Sequence, residues 1–266
     1  MFMMIHPGDT PMLRWAILLC LVLIPTTLVL VIVDRRVLGD EALWLKPLKF
    51  HLSLSVHGAT ILLAARLLPE AWQTGAIGRI GLAFFGAVIV YEALFLSIQA
   101  ARGVRSHFND TTPFDAIGGT IMAAGAGILV AVSIVLGIAL GASLLRGGWE
   151  AAVSDPLRLA AALGLIIAGW LGAQTGGAIG ANGGPLVGPS AGAVMPLTGW
   201  SLSGGDYRIA HFLGIHAMQA LPLIALAFMV ILPAAVASAL LLPVAAGWAA
   251  LTLTALSRAA AGLPPL

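Results

Sequence analysis

The feature that most constrains the fold of this chain is a series of seven long apolar runs. They lie at about residues 12–33, 48–68, 80–101, 116–145, 157–178, 208–232 and 234–256. Each reaches the roughly 20 residues that an α-helix needs to cross about 30 Å of hydrocarbon. A backbone surrounded by lipid must satisfy its own hydrogen bonds, and a helix does so within one segment. We therefore expect an all-α, polytopic membrane helix bundle of about seven transmembrane helices, forming a single domain over residues 1–266.

Composition excludes several other classes of protein. Hydrophobic residues make up 60% of the chain and charged residues only 9%, too few to cover a water-soluble surface. The net charge of +2 gives no basic patch, so we expect a lipid bilayer as partner and no nucleic acid. The single cysteine, Cys20, excludes a disulfide framework and any multi-cysteine metal site. Any bound metal would need histidine and carboxylate ligands.

The distribution of Lys and Arg predicts how the chain is oriented in the membrane. The first apolar run is longer than a signal-peptide core and no cleavage pattern follows it, so we expect a retained helix. Eight cations flank one membrane side: Arg35, Arg36, Lys46, Lys49, Arg102, Arg105, Arg208 and Arg258. Five flank the other: Arg14, Arg66, Arg79, Arg146 and Arg158. The excess places the N-terminus outside and the C-terminus in the cytoplasm.

The connection over about residues 176–207 differs from the others. It is rich in Gly and Pro and nearly uncharged until Asp206. A long loop without regular structure is usually a functional segment or a disordered linker. Because low charge argues against a solvated linker, we expect a lid folded onto the mouth of the bundle.

The second and sixth apolar runs resemble each other. Lys49–His51 is followed by His57–Ala59, and Arg208–His211 is followed by His216–Met218. Both pairs of segments begin a run from the same side of the membrane. Three helices, a linker helix and three more helices would produce this relation, so a 3+1+3 internal repeat is a hypothesis.

Polar residues inside the apolar runs predict a site near one membrane face. At a rise of 1.5 Å per residue, His57, Glu92 and His216 lie at one level, about 12–14 Å deep. We predict that these three converge on one buried point. A second group lies nearer the surface: His51, Gln99 and His211, with His107 and Arg105 in the loop above. The sixth histidine, His6, belongs to the N-terminal leader.

Glu92 is the most informative of these residues. A charged group at mid-helix costs roughly 2–3 kcal/mol or more, and such residues usually mark a proton or ion path. Gln99 lies seven positions on, about 20° around the helix axis, so the two form one polar stripe, and both are candidate catalytic residues together with Ser53. The alternative is interhelical polar contact without chemistry.

The first functional hypothesis is a haem b or other redox-metal protein for electron transfer. His57 and His216 would be axial ligands beside small residues that admit the macrocycle, with Arg102, Arg105 and Arg208 pairing with propionates. His51 with His211 or His107 would form an upper centre. Glu92 would couple protons to electrons, with a quinone or another lipophilic molecule entering laterally. His57, His216 and Glu92 could equally hold non-haem iron.

The second hypothesis rests on a resemblance. The Ser53-x-x-x-His57 pattern is similar to the serine and histidine signature of the seven-helix hydrolases that include alkaline ceramidases and adiponectin-type receptors. The resemblance implies a zinc ion held by histidines whose bound water attacks a lipid amide. His211-x4-His216 departs from the HxxxH pattern of these hydrolases, and only Glu92 could stand for their aspartate.

The third hypothesis is a proton-coupled transporter, in which Glu92, His57 and His216 form a proton relay without a cofactor. The optical spectrum and metal content of the purified protein would discriminate among the three.

Segments that face one membrane side carry a wider resemblance. Trp44–Phe50, Gly103–Asn109, Gly199–Ser201 and Gly204–Arg208, with His211, Phe212 and Gly214, are similar to uncharacterised bacterial multi-pass inner-membrane proteins. This resemblance implies a bacterial inner-membrane location and no particular activity.

Overall fold

A computed structural model describes residues 10–39, 41–188 and 192–265. In chain order, its helices are α1 (Pro11–Val33), α2 (Leu45–Arg66), α3 (Glu70–Thr74), α4 (Ala76–Arg102), α5 (Pro113–Arg146), α6 (Gly148–Ser154), α7 (Pro156–Ala181), α8 (Tyr207–Ile231) and α9 (Ala234–Ala260). Seven of these, all except α3 and α6, are long and apolar enough to cross a membrane. The all-α, seven-span prediction is therefore confirmed.

Two features of the predicted spans are resolved by the structure. The long fourth run is one helix, α5, with 34 residues. The break at Pro233 is confirmed, because α8 ends at Ile231 and Pro233 is the extended residue before α9. Proline lacks the N–H that continuation of α8 would need, so a new helix begins there.

The remaining regular structure is small. The ribbon after α1 pairs β1 (Val37–Leu38) with β2 (Glu41–Ala42) in antiparallel register. A second ribbon, after α7, pairs β3 (Leu186–Val187) with β4 (Gly205–Asp206), also antiparallel. The short helix α3 lies between α2 and α4, and the short helix α6 lies between α5 and α7.

Contacts divide the chain into two compact units, Met1–Leu129 and Val130–Leu266. In the first unit, α1, α2 and α4 pack against one another. A Cβ added to Gly86 on α4 would lie 2.8 Å from the backbone of Leu13, so the two helix backbones are in close contact. Gly58 on α2 similarly faces Ile17 and Ile89. Small residues at these positions let membrane helices approach closely.

The second unit is built on the packing of α7 against α8, with α9 beside both. A Cβ on Gly164 of α7 would lie 2.8 Å from the Ala217 carbonyl oxygen. Gly214 of α8 in turn faces Leu171. This close packing of glycines against backbone is typical of helices that associate within a membrane.

The Gly-rich connection begins later than predicted. Helix α7 continues through Ala181, so the predicted loop start at 176 is wrong by about six residues. In lipid, a helix satisfies the backbone hydrogen bonds that a loop would leave without partners. This gain outweighs the low helix propensity of glycine. Beyond α7, the ribbon of β3 and β4 packs against the end of α9, where Gly205 approaches the Ala259 carbonyl. Coverage of a histidine site by this segment stays a prediction.

Candidate functional site

Glu92 lies in the middle of α4 and is 4% exposed. Its Oε1 atom is buried and has no hydrogen-bond partner among the described residues. It faces Gly125 on α5, where an added Cβ would lie 2.8 Å from Oε1. The absence of a side chain at Gly125 leaves the space that the carboxyl group occupies. Glu92 is thus a buried carboxyl group within a membrane-spanning helix, as the sequence predicted, whereas its predicted histidine partners stay a prediction.

His51 on α2 is fully buried, and protein groups surround both of its ring nitrogens. Nδ1 lies 3.5 Å from the Thr27 hydroxyl on α1. Nε2 lies 3.2 Å from the Ser97 hydroxyl and 3.3 Å from the Ala93 carbonyl oxygen on α4. His51 therefore joins three helices. Its predicted role as a cofactor ligand stays a prediction, and it would require breaking one of these contacts.

His57 lies deeper than predicted relative to Glu92. Its ring packs edge-on against Phe85, with centroids 5.4 Å apart. Phe85 precedes Glu92 by seven residues, about 10 Å along α4. Ala93, which follows Glu92 directly, contacts His51 instead. The prediction that His57 shares the level of Glu92 is not supported by these contacts, because the packing of α2 against α4 sets the relative height of the two residues and the ends of the apolar runs do not reveal it.

Gln99 and Arg102 belong to a polar network at the end of α4 rather than to an open site. Gln99 Nε2 donates to Asp115 Oδ1 at 2.7 Å, and Arg102 donates to both Gln99 Oε1 and Asp115. Thr112 Oγ1 also donates to Asp115, at 2.6 Å. This network holds the loop after α4 against the start of α5. The predicted roles of Gln99 in catalysis and of Arg102 in binding propionates stay predictions.

His107 lies in the same loop beside Lys46. Its Nδ1 is 3.2 Å from Lys46 Nζ and 3.0 Å from the Ser106 hydroxyl. Burial, together with the Lys46 ammonium group, lowers the pKa of His107 to about 3. His107 is therefore neutral near pH 7, and Nδ1 accepts from Lys46. The Arg105 side chain is exposed, and its carbonyl oxygen accepts from Gln99.

Two histidines of the second unit lie on α8. His211 Nδ1 is 2.9 Å from the Thr175 hydroxyl on α7. His216 Nδ1 is 3.0 Å from Gln219 Oε1, and its ring packs on Phe212 with centroids 4.2 Å apart. An amide oxygen can only accept, so Nδ1 of His216 carries the proton and Nε2 presents a lone pair.

Asp206 and Arg208 form an ion pair at the start of α8. Arg208 donates to both Asp206 oxygens, with Nη2 at 2.6 Å from Oδ2, and Asp206 is fully buried at its side chain. Asp206 also caps the helix by accepting from the Arg208 backbone N–H at 3.0 Å. The Ser201 backbone N–H donates to Asp206 at 2.8 Å, which fixes the end of the Gly-rich connection. Binding of a propionate by Arg208 stays a prediction.

The remaining predicted site residues are less defined. Ser53 is half-buried on α2, one turn before His57. In the part of the chain that the structure describes, no group of three His, Cys, Asp or Glu side chains could hold a metal ion. The predicted metal site of His57, His216 and Glu92 gains no support from this, and their convergence stays a prediction. His6 lies outside the described residues.

Sequence reasoning missed the partners of these residues. Thr27 and Thr175 lie within apolar runs, and a hydroxyl there usually bonds its own helix. Asp115 could have been identified from the sequence, because Thr112-x-x-Asp115 is a capping-box pattern that marks the start of a helix. No sequence pattern could have identified Gly125, because its importance depends on which helix faces Glu92.

Comparison of the chain with known protein families, with curated proteins and with solved structures found no match.

Proposed function

We propose that this protein is a proton-coupled membrane transporter in which Glu92 is the proton carrier. The observation that supports the proposal is the buried Oε1 of Glu92, which has no hydrogen-bond partner among the described residues. An ionised carboxylate there would carry the full cost of desolvation, whereas the protonated form costs far less. The resting carboxyl group is therefore neutral.

Proton binding can be coupled to transport at such a residue. Any conformation that admits water or a cationic group beside Glu92 stabilises the carboxylate and releases the proton. Gly125 makes the environment of Glu92 sensitive to the position of α5, because only a residue without a side chain leaves room for the carboxyl group. A buried carboxyl group of this kind is typical of proton relays in pumps and transporters.

The protonation of Glu92 can be tested directly by infrared spectroscopy of the protein in liposomes. We expect the C=O stretching band of a protonated carboxylic acid near neutral pH, absent in Glu92→Gln and retained in Glu150→Gln, which changes an exposed carboxylate. Gly125→Ala should shift the band, while Gly127→Ala, where an added Cβ meets nothing within 4 Å, should not. A spectrum without any band that depends on Glu92 contradicts the proposal.

Transport itself is tested in liposomes that enclose the pH dye pyranine. Pools of amino acids, organic acids, sugars and amines are added outside in turn. At least one pool should cause proton movement, and Glu92→Gln should reduce it by at least about tenfold. If no pool causes proton movement, or if proton movement is unchanged in Glu92→Gln, the assignment of Glu92 as the proton carrier is overturned.

A redox protein with haem b is the second candidate, and the orientation of His216 favours it. Histidines that bind metals commonly donate their other ring N–H to a neighbouring acceptor, as His216 does to Gln219. Haem would give a Soret band with reducible α and β bands in the purified protein, and a lipophilic quinone would be its natural partner. His57→Ala and His216→Ala should each remove the cofactor, whereas His6→Ala should not. A colourless protein with stoichiometric zinc would favour the zinc-dependent hydrolase instead.

A further inference from the structure

A groove runs between α4 and the first part of α5, within the first unit. Its volume is about 560 Å³, which is in the range of sites that bind small molecules. Among its described lining residues, the Tyr91 hydroxyl is the only polar side-chain group, and it donates to the Gly118 carbonyl oxygen at 2.9 Å. The groove therefore offers no hydrogen-bonding partner to a sugar or another polar solute and fits a lipophilic one.

Three aromatic rings line this groove. Tyr91 and Phe95 stack with their centroids 5.7 Å apart, and the Phe95 centroid lies 5.8 Å from that of Phe114. The faces of such rings attract cations. Phe114 already contacts one, because the Arg102 guanidinium lies 4.9 Å from its centroid. Asp115 balances the charge of Arg102, so this ion pair presents little net charge to a solute. The rings thus favour a lipophilic solute that carries a positive charge.

The Glu92 carboxyl group lies along the same contact between α4 and α5, beyond the inner end of the groove. A Cβ added to Gly125 would meet Glu92 Oε1 at 2.8 Å and Val88 at 3.1 Å. Gly125 follows Ile121, a groove residue on α5, by four positions, and Val88 directly follows Ala87, a groove residue on α4. Four residues rise about 6 Å along a helix. A charge at the inner end of the groove is therefore close enough for direct attraction to a Glu92 carboxylate.

Other titratable groups on α4 and the helices packed against it are engaged elsewhere or lie farther along. Asp115 on α5 is paired with Arg102. On α2, His51 and His57 contact residues of α4 other than Glu92. The remaining groups are Cys20 and, nearer the helix ends, Arg14, Lys46, Lys49, Arg66, Glu70 and Arg79. Because Glu92 Oε1 has no hydrogen-bond partner among the described residues, it is available to an incoming cation.

We propose that the α4–α5 groove binds a lipophilic organic cation, such as a protonated aromatic amine, and that this cation replaces the proton of Glu92. The inference rests on the proposed function of Glu92 as the proton carrier. When the cation binds, the carboxylic acid releases its proton to water and the resulting carboxylate pairs with the cation, so one positive charge replaces another. A neutral or anionic solute would leave the buried carboxylate without a counter-ion. The protein then exchanges protons for lipophilic cations.

Binding of tetraphenylphosphonium to the purified protein tests the groove. Equilibrium dialysis in detergent should show saturable binding of this cation. Tetraphenylborate has the same shape and the opposite charge, and it should not compete. Ile121→Trp and Ile98→Trp fill the groove from its two walls, and each should weaken binding by at least about tenfold. Ile138→Trp, at an exposed position of α5 outside the groove, should bind as the wild type does.

Two results would overturn the groove as a cation site. One is equal binding of the phosphonium and the borate, which would leave the groove to lipid chains. The other is an affinity for the cation that is the same in the two groove-filling variants as in Ile138→Trp.

Proton release on binding tests the exchange, and a pH indicator dye in weakly buffered solution measures it. Because the cation and the proton compete for one carboxylate, the affinity for the cation should increase as the pH rises, by up to about tenfold per pH unit. Glu92→Gln should bind more weakly, release no proton and lose this pH dependence. Glu150→Gln, which changes an exposed carboxylate, should behave as the wild type. Binding without proton release, or a pH dependence retained in Glu92→Gln, would overturn the exchange.

The infrared band of Glu92 is recorded without any cation, so the two proposals fail separately. A band that depends on Glu92, together with no binding of tetraphenylphosphonium, overturns the substrate class and leaves the proton carrier in place. The absence of that band overturns the proton carrier itself, and with it the exchange.

Discussion

Asp115 illustrates how much of one loop can depend on a single side chain. It accepts from Arg102, Gln99 and Thr112, and its side chain is 1% exposed. Asp115→Asn removes the charge and one acceptor, which leaves part of the network unsatisfied. Because the Arg102 side chain is 37% exposed and can be hydrated, we expect a loss of about 1–3 kcal/mol in the free energy of unfolding.

Thermal unfolding in detergent measures this loss. The matched control is Asp110→Asn in the same loop, which removes an exposed carboxylate and should leave the melting temperature unchanged. Equal melting temperatures for the two variants would show that the network contributes nothing to stability.

His107 should make the protein sensitive to acid. Its pKa is lowered from 6.5 to about 3 in the folded protein, because the ring is buried and lies beside Lys46. The unfolded chain therefore binds a proton at a higher pH than the folded chain does. The contribution of the neutral ring to stability is complete above pH 6.5 and falls as the pH decreases from 6.5 toward about 3.

His107→Gln keeps an acceptor for Lys46 but cannot titrate. We expect this variant to lose less stability than the wild type between neutral and mildly acidic pH, with both measured by thermal unfolding. The comparison at alkaline pH, where the wild-type ring is neutral, is the internal control for the change in packing. An unaltered acid dependence in His107→Gln would assign the sensitivity to other groups.

At the scale of elements, the α7–α8 contact should tolerate no side chain at Gly164. An added Cβ would lie 2.8 Å from the Ala217 carbonyl oxygen and 3.0 Å from Met218 Cα, both backbone atoms. Gly164→Ala must push the helices apart, which we expect to cost about 1–3 kcal/mol. Gly177→Ala on the same helix meets nothing within 4 Å and should be neutral or slightly stabilising. A similar melting temperature for both variants would show that the helices can separate at little cost.

The elements were predictable because lipid imposes a length and a hydrophobicity on each span. The residues at which the helices begin and end were less predictable. Helix α2 begins before its apolar run because Pro47 is tolerated in a first turn, and α7 continues through glycines that would end a helix in water. The position of Glu92 inside a span was also predictable. The partner of each polar group was not, because a single sequence does not show which helix faces Glu92 or His51.

At the scale of the whole molecule, the predicted 3+1+3 repeat stays a prediction, and the third helices of the two units differ in their chemistry. The first carries Glu92, and the third helix of the second unit, α9, carries no carboxylate. Duplicated units in a transporter need not keep identical ligands, because one half can bind the coupling ion while the other supports the conformational change. Glu92 is therefore the feature that distinguishes the third helices of the two units.

The orientation of the whole chain gives the last prediction. Eight cations lie on the side of the C-terminus and five on the side of the N-terminus, so the C-terminal side should face the cytoplasm. The only native cysteine, Cys20, is fully buried, which makes the wild type a low-background host for labelling. In intact cells, a membrane-impermeant maleimide should label Glu70→Cys and Glu150→Cys. Asp110→Cys should react only after the membrane is permeabilised, and the reverse pattern would invert the orientation.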